Sequence, residues 1–172
     1  MSDLAEEPDP HLIARGFVEA SGEMPAAIKL AARRGLDLCY DRRELTASLA
    51  LSGPPAAPDG GEEPYLIIAS FDDYPLLPPI WQFVDPKTGR DIGLPGYPRP
   101  VGASVFHGNA LVCAHWSRKA YQEEGGPHGN WGGVRNWQNP VEGSVALTIP
   151  DMLDRLIREV GSSRGRMGPL PQ

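Results

Sequence analysis

The first clear periodicity along the chain is helical. From His11 to about Ala20 the apolar positions Leu12, Ile13, Phe17 and Val18 fall near helical spacing, and a second helical stretch runs from about Pro25 to Arg34. Pro25 suits a first turn and Gly35 a stop, so two short helices or one broken helix are expected. After Gly35 the pattern becomes an alternation. Leu36, Leu38 and Tyr40, then Leu45, Ala47, Leu49 and Leu51, trade places with other residues as in half-buried strands.

A Pro/Gly loop over 52–64 leads into a short apolar strand from Tyr65 to Phe71. Tyr74, Pro75, Pro78 and Pro79 form a turn that no helix can include, and the strand Ile80 to Val84 follows it. Connections this short exclude the crossover that parallel neighbours need, so the strands form an antiparallel meander. Two irregular stretches come next. Residues 85–103 are punctuated by Pro86, Gly89, Gly93, Pro95, Gly96, Pro98, Pro100 and Gly102, and residues 118–137 read as a second Gly-rich, polar loop. The last periodic segment, Ile149 to Val160, carries Met152, Leu153, Leu156, Ile157 and Val160 on one face, with Thr148 as cap, Pro150 in the first turn and Gly161 as stop.

The fold class expected from this order is α+β, an antiparallel meander sheet of about four strands flanked by an N-terminal and a C-terminal helix. Residues 1–10, acidic and Pro-containing, are expected to be a disordered lead-in, 11–161 one domain, and 162–172 a flexible tail. The 172 residues suffice for one core of ordinary size.

Composition narrows the function classes. A net charge of -6 lacks the clustered basic footprint of a phosphate-neutralising protein, so nucleic acid is not an expected partner. No window approaches the roughly 20 apolar residues of a membrane span, and the acidic start lacks the basic-then-apolar pattern of a secretory signal. A cytoplasmic protein without a membrane partner is the expectation. In that compartment Cys39 and Cys113 are expected as two thiols rather than a disulfide.

The two longest irregular stretches flank one segment, His107-Gly-Asn-Ala-Leu-Val-Cys113-Ala-His115-Trp116. Long loops in a compact domain are commonly functional, and a nucleophilic thiolate needs donor-rich, partly exposed surroundings. Cys113 has His107, Asn109 and His115 close in sequence, whereas Cys39 lies between Asp37 and Asp41 in an alternating strand. The same neighbourhood allows a zinc reading, with His107, Cys113, His115 and His128 as tetrahedral ligands, although only Cys113 and His115 are closely spaced. A buried, inert Cys113 is the bland alternative. The acid pairs Asp72/Asp73, Glu62/Glu63 and Glu123/Glu124 are expected to face water, and Trp81, Trp116, Trp131 and Trp137 to serve as core or loop anchors. No Gly-rich phosphate cradle follows a strand and opens a helix, and no cofactor is expected.

Taken as an ordered set, these elements resemble the catalytic core of the ubiquitin-conjugating (UBC) enzymes. Gly53-Pro54, Pro58 and Gly60-Gly61 resemble the family's hairpin between its first two strands, and Asp73-Tyr74-Pro75-Leu-Leu-Pro78-Pro79-Ile-Trp-Gln-Phe83 resembles its Asp-Tyr-Pro-x-x-Pro-Pro-x-x-x-Phe signature. Trp137, Pro140 and Ala146-Leu147-Thr148-Ile149 resemble the Trp, Pro and Leu-Thr-Ile that precede the family's next helix. The likeness spans about Gly35 to Val160. It implies a UBC-like fold and a transferase in which Cys113 accepts a ubiquitin-like protein from an activating enzyme as a thioester and passes it to a lysine-bearing target.

His107-Gly108-Asn109 is similar to the family's His-Pro-Asn, whose Asn steadies the loop or the oxyanion, with Gly108 in place of Pro and a shorter distance to the cysteine. His107 and His115 are candidates for orienting or proton-accepting roles. The compact, Gly/Pro-rich form resembles a bacterial branch found in antiviral-defence operons, beside a ubiquitin-like protein, an activating enzyme and a deconjugating protease. An inactive UBC-like binding module and a zinc-stabilised fold remain the alternatives.

Overall fold

A computed structural model of the chain describes residues 10–124, 131–139 and 145–172. The lead-in before Pro10, together with His128 and Pro140, lies outside them. Two helices open the fold, α1 (Pro10–Ala20) and α2 (Glu23–Arg33), broken at Gly22, whose φ of 79° is left-handed. The sheet follows as β1 (Leu38–Asp41), β2 (Thr46–Gly53), β3 (Glu63–Ser70) and β4 (Ile80–Val84). All neighbours are antiparallel in the order β1-β2-β3-β4, which is the expected meander.

The alternation in the sequence becomes the two faces of this sheet. Ala47, Leu49 and Leu51 of β2, Tyr65, Ile67 and Ala69 of β3, and Trp81 and Phe83 of β4 are buried, while the row Cys39, Ser48, Ile68, Gln82 crosses the opposite face in register. The inner face is covered by α4 (Ile149–Gly161), whose buried stripe is Ile149, Met152, Leu153, Leu156 and Val160. Each such residue removed from water contributes roughly 1.5–3 kcal/mol. Thr148 caps α4 as expected, its side chain accepting from the Asp151 amide. At the same end, one carboxylate oxygen of Glu23 accepts from the Ile149 amide at 2.9 Å and from the Tyr74 hydroxyl at 2.7 Å, joining α2, α4 and the Tyr-Pro turn.

Two expectations need correcting. The stretch read as a polar loop from Arg118 begins with a helix, α3 (Arg118–Glu124). Its seven residues are too few to show an apolar period, and it is anchored by tertiary contacts, with Ala120 fully buried. The supposed flexible tail is also docked over its first half. Arg164, Arg166 and Met167 run antiparallel to residues 97–99, with Met167 N–H on Tyr97 O and Arg99 N–H on Gly165 O at 3.0 and 2.8 Å. Arg166 is buried, its guanidinium 4.4 Å from the Tyr65 ring centroid and bonded to Glu63 and to the Pro95 and Gly96 carbonyls. This tail packs on residues 85–103, which hold a tight turn at 85–89 and one 3-10 turn at Leu94–Gly96.

Candidate functional site

Cys113 sits on the chain between β4 and α3, where a bend and a turn over 114–117 part neighbouring side chains. Val112, Ala114 and Trp116 enter the main core, whereas Leu111 and Cys113 join Ala120 and Trp131 in a separate small cluster against which Tyr121 packs. His115 follows the same side as Cys113. Its ring lies on the Trp131 indole, with centroids 3.8 Å apart and planes 22° from parallel. The sequence-adjacent thiol and imidazole are thus brought to one aromatic wall.

The backbone around the thiol is fixed by hydrogen bonds. Cys113 N–H donates to Val105 O at 2.7 Å and Ala114 N–H to Val112 O at 3.0 Å. Val105 is positioned from the helical side of the molecule, because the neighbouring Ser104 hydroxyl donates to Glu159 of α4 at 2.5 Å and Glu159 pairs with Arg155 at 2.6 Å. Between the two legs joined at Val105 and Cys113 lies the His107-Gly-Asn turn. Gly108 has φ 73° there, a conformation closed to Pro, whose ring holds φ near about −65°. Gly adopts such a φ without steric cost, which suits it to this turn.

His107 is exposed and its Nε2 lies 2.8 Å from Ser104 O, so it braces its own turn. Asn109 is half-buried at the turn. Of the four candidates, Cys113 and His115 therefore share a wall, and His107 and Asn109 belong to the turn beside it.

The exposures are the reverse of those expected for a reactive thiol. Cys113 is 9 % exposed and His115 1 % exposed, while Cys39 is the exposed thiol, 3.9 Å from an Asp37 carboxylate oxygen. The two cysteines are not joined as a disulfide. Among the described residues no three His, Cys, Asp or Glu side chains come together as a metal-binding group; His128, the fourth ligand of the zinc reading, lies outside them.

Sequence reasoning missed the residue that locks this segment to the sheet. Arg118, buried at the start of α3, donates from Nε to Pro78 O at 2.9 Å and pairs with Asp73 at 2.8 Å and Asp72 at 3.2 Å. Its own amide reaches Pro79 O at 3.0 Å. The acid pair Asp72/Asp73 thus carries a structural partner as well as a water-facing side. Trp137 adds a second tie, Nε1–H to Pro75 O at 3.1 Å, matching its expected role as a loop anchor. The Tyr74 hydroxyl is held protonated far above its usual range, first by burial and then by its bond to Glu23. Nothing in the one-dimensional pattern marks Arg118 as a clamp, since it reaches the Pro78 carbonyl and an acid pair far earlier in the chain.

Among the described residues, no helix is long and apolar enough to cross a membrane. No family model matches the chain, and no curated protein or solved structure matches it either.

Proposed function

We propose that the chain is a ubiquitin-conjugating-like carrier with a UBC-like fold, taking a ubiquitin-like protein from an activating enzyme as a thioester on Cys113 and passing it to a target lysine. In the first exchange the Cys113 thiolate attacks the activating enzyme's thioester carbonyl and expels that enzyme's thiolate. In the second, a lysine amine attacks the Cys113 thioester, loses a proton to water or a nearby acceptor, and expels the Cys113 thiolate. A thioester is already activated, so positioning and oxyanion stabilisation are the main demands on the protein. The biological setting proposed is a bacterial antiviral-defence system with a deconjugating protease beside it.

The observation that carries this reading is the clamp between the Tyr-Pro-Leu-Leu-Pro-Pro turn and the Cys113 segment. Arg118 and Trp137 hold the turn by its carbonyls, and the Cys113 amide is held separately on Val105 O. The quoted motif, distant in sequence, is thereby tied to the chain just past the candidate nucleophile. That is how a residue would be presented to a large partner. His115, stacked on Trp131, is the group proposed to orient or accept a proton beside the sulfur.

The near-complete burial of Cys113 favours a second reading, a UBC-like module that binds a ubiquitin-like protein or its activating enzyme without chemistry. Reconstitution separates the two. With activating enzyme, ATP and the ubiquitin-like protein, the carrier forms an adduct that reductant removes and that Cys113→Ala abolishes. Binding without such an adduct leaves only the second reading.

A further inference from the structure

An acyl group on Cys113 turns into a tetrahedral oxyanion whenever an amine attacks it, and that charge needs a donor. The backbone offers little next to the sulfur. The Cys113 amide is already held by Val105 O and the Ala114 amide by Val112 O, so the nucleophile's own N–H, a common oxyanion donor, is engaged elsewhere. Asn109, the residue that the family resemblance nominates, sits in the turn that Gly108 makes. A side chain that packs with the thiol is the alternative donor.

Tyr121 is such a side chain. It projects from α3 onto the cluster of Leu111, Cys113, Ala120 and Trp131, with its ring 6.1 Å from the Trp131 ring. Its phenolic oxygen is buried and has no hydrogen-bond partner among the described residues. A buried hydroxyl left unsatisfied is destabilising, and such groups call for a specific reason. A core tyrosine that merely fills space would be served as well by Phe, which carries no such penalty. A partner that arrives with the substrate supplies the reason.

We propose that the Tyr121 hydroxyl is the oxyanion donor for acyl groups carried on Cys113. Attack of the amine moves the carbonyl π pair onto oxygen, where the phenol donates a hydrogen bond and keeps its proton. Collapse of the intermediate restores the carbonyl and expels the Cys113 thiolate, while the amine's proton leaves to solvent. Burial raises the Tyr121 pKa, which keeps the phenol a donor throughout the neutral range. The biological acyl group is that of the carrier reading, on which the inference rests, but the chemistry requires only an acylated Cys113.

A small activated ester tests this without any partner protein. In a Cys39→Ser chain, p-nitrophenyl acetate acetylates Cys113 with release of nitrophenolate, mass spectrometry locates the acetyl group, and added lysine discharges it in a single turnover. Tyr121→Phe is expected to slow both acetylation and discharge by about tenfold to a hundredfold, with an unchanged or higher thermal midpoint. Alkylation of Cys113 by iodoacetamide passes through no oxyanion, and should stay within about twofold of the Tyr121 chain.

Equal acyl-transfer rates in the two chains would overturn the assignment, and so would an equal fall in alkylation and acyl transfer, which is the mark of a packing role. Absence of acetyl transfer to Cys113 in the Tyr121 chain would overturn it as well. Failure of the reconstituted thioester, in contrast, bears on the ubiquitin-like carrier reading and leaves these acetyl-transfer rates intact.

Discussion

The His115 imidazole lies face to face on the Trp131 indole at 3.8 Å, and Cys113 belongs to the cluster that the same indole covers. A thiol in that position reacts slowly while the indole is in place, because access and thiolate character together set alkylation rates. Iodoacetamide is expected to modify Cys39 ahead of Cys113 by on the order of tenfold or more. Trp131→Ala should speed modification of Cys113 by a comparable factor and leave Cys39, on the exposed sheet face, unchanged. Mass-spectrometric labelling of the two peptides measures both. A Cys113 rate indifferent to the loss of the indole would mean that Trp131 does not shield the thiol.

The Arg118 guanidinium ties Pro78 O and Asp73 to the start of α3. Removing it leaves the buried Pro78 carbonyl without its donor while the half-exposed Asp72 and Asp73 turn to water, so Arg118→Ala should lower stability by about 1–3 kcal/mol. Arg118→Lys keeps the charge but not the fork that reaches both acceptors, and should recover less than half of the loss. Denaturant titration gives these differences. If Lys fully restored stability, charge rather than geometry would be holding the turn.

The strands were legible because each buries one face. Leu38, Ala47, Leu49 and Ile67 alternate in the chain and end on the inner side of the sheet, and short connections left the meander as the sole topology. Helix α4 was legible from Thr148, Pro150 and its apolar stripe. By contrast α3 lacks the length to show a stripe, and its position comes from Arg118 reaching back to a turn far earlier in the chain. The exposure of Cys113 was illegible for a similar reason, since it depends on Trp131 returning across α3. His115, two residues past Cys113, reaches the Trp131 wall through the turn at 114–117, whereas His107, six residues before it, is bonded to Ser104 O in its own turn. The docking of the tail hinges on a missing Cβ, which composition reports only as another glycine.

That glycine is Gly165. Its φ of 68° is left-handed, and a Cβ there would lie 2.6 Å from Ala56 Cβ and 2.7 Å from Ala56 Cα. Neither neighbour is the far end of a flexible side chain, so Gly165→Ala forces the tail off residues 97–99 or the Ala56 loop outward. The backbone strain alone is about 1–2 kcal/mol, and the total loss should reach at least about 2 kcal/mol. Gly61→Ala, in open space at an ordinary φ, should change stability by less than about 0.5 kcal/mol. Thermal melts of the pair decide this. Equal midpoints would show that the tail is not held where Gly165 is needed.

Acid should act on the turn that leaves β4. The Asp85 carboxylate accepts from the Lys87 amide at 2.8 Å and from the Thr88 hydroxyl at 3.0 Å. Its pKa falls below the usual 3.8, chiefly through the Lys87 amide, with Thr88 and the Lys87 charge adding to the effect against the opposing influence of burial. A carboxyl whose folded pKa is depressed contributes stability that is complete above its unfolded value and is lost as pH falls through the folded one. Asp85→Asn keeps the shape without the charge. The thermal midpoint of the unsubstituted chain should therefore exceed that of the Asp85→Asn variant near about pH 6, with the gap closing toward about pH 2 as the carboxyl protonates. A gap of constant size across that range would mean that the Asp85 charge contributes nothing to the turn, and that its hydrogen bonds serve equally well when the carboxyl is neutral.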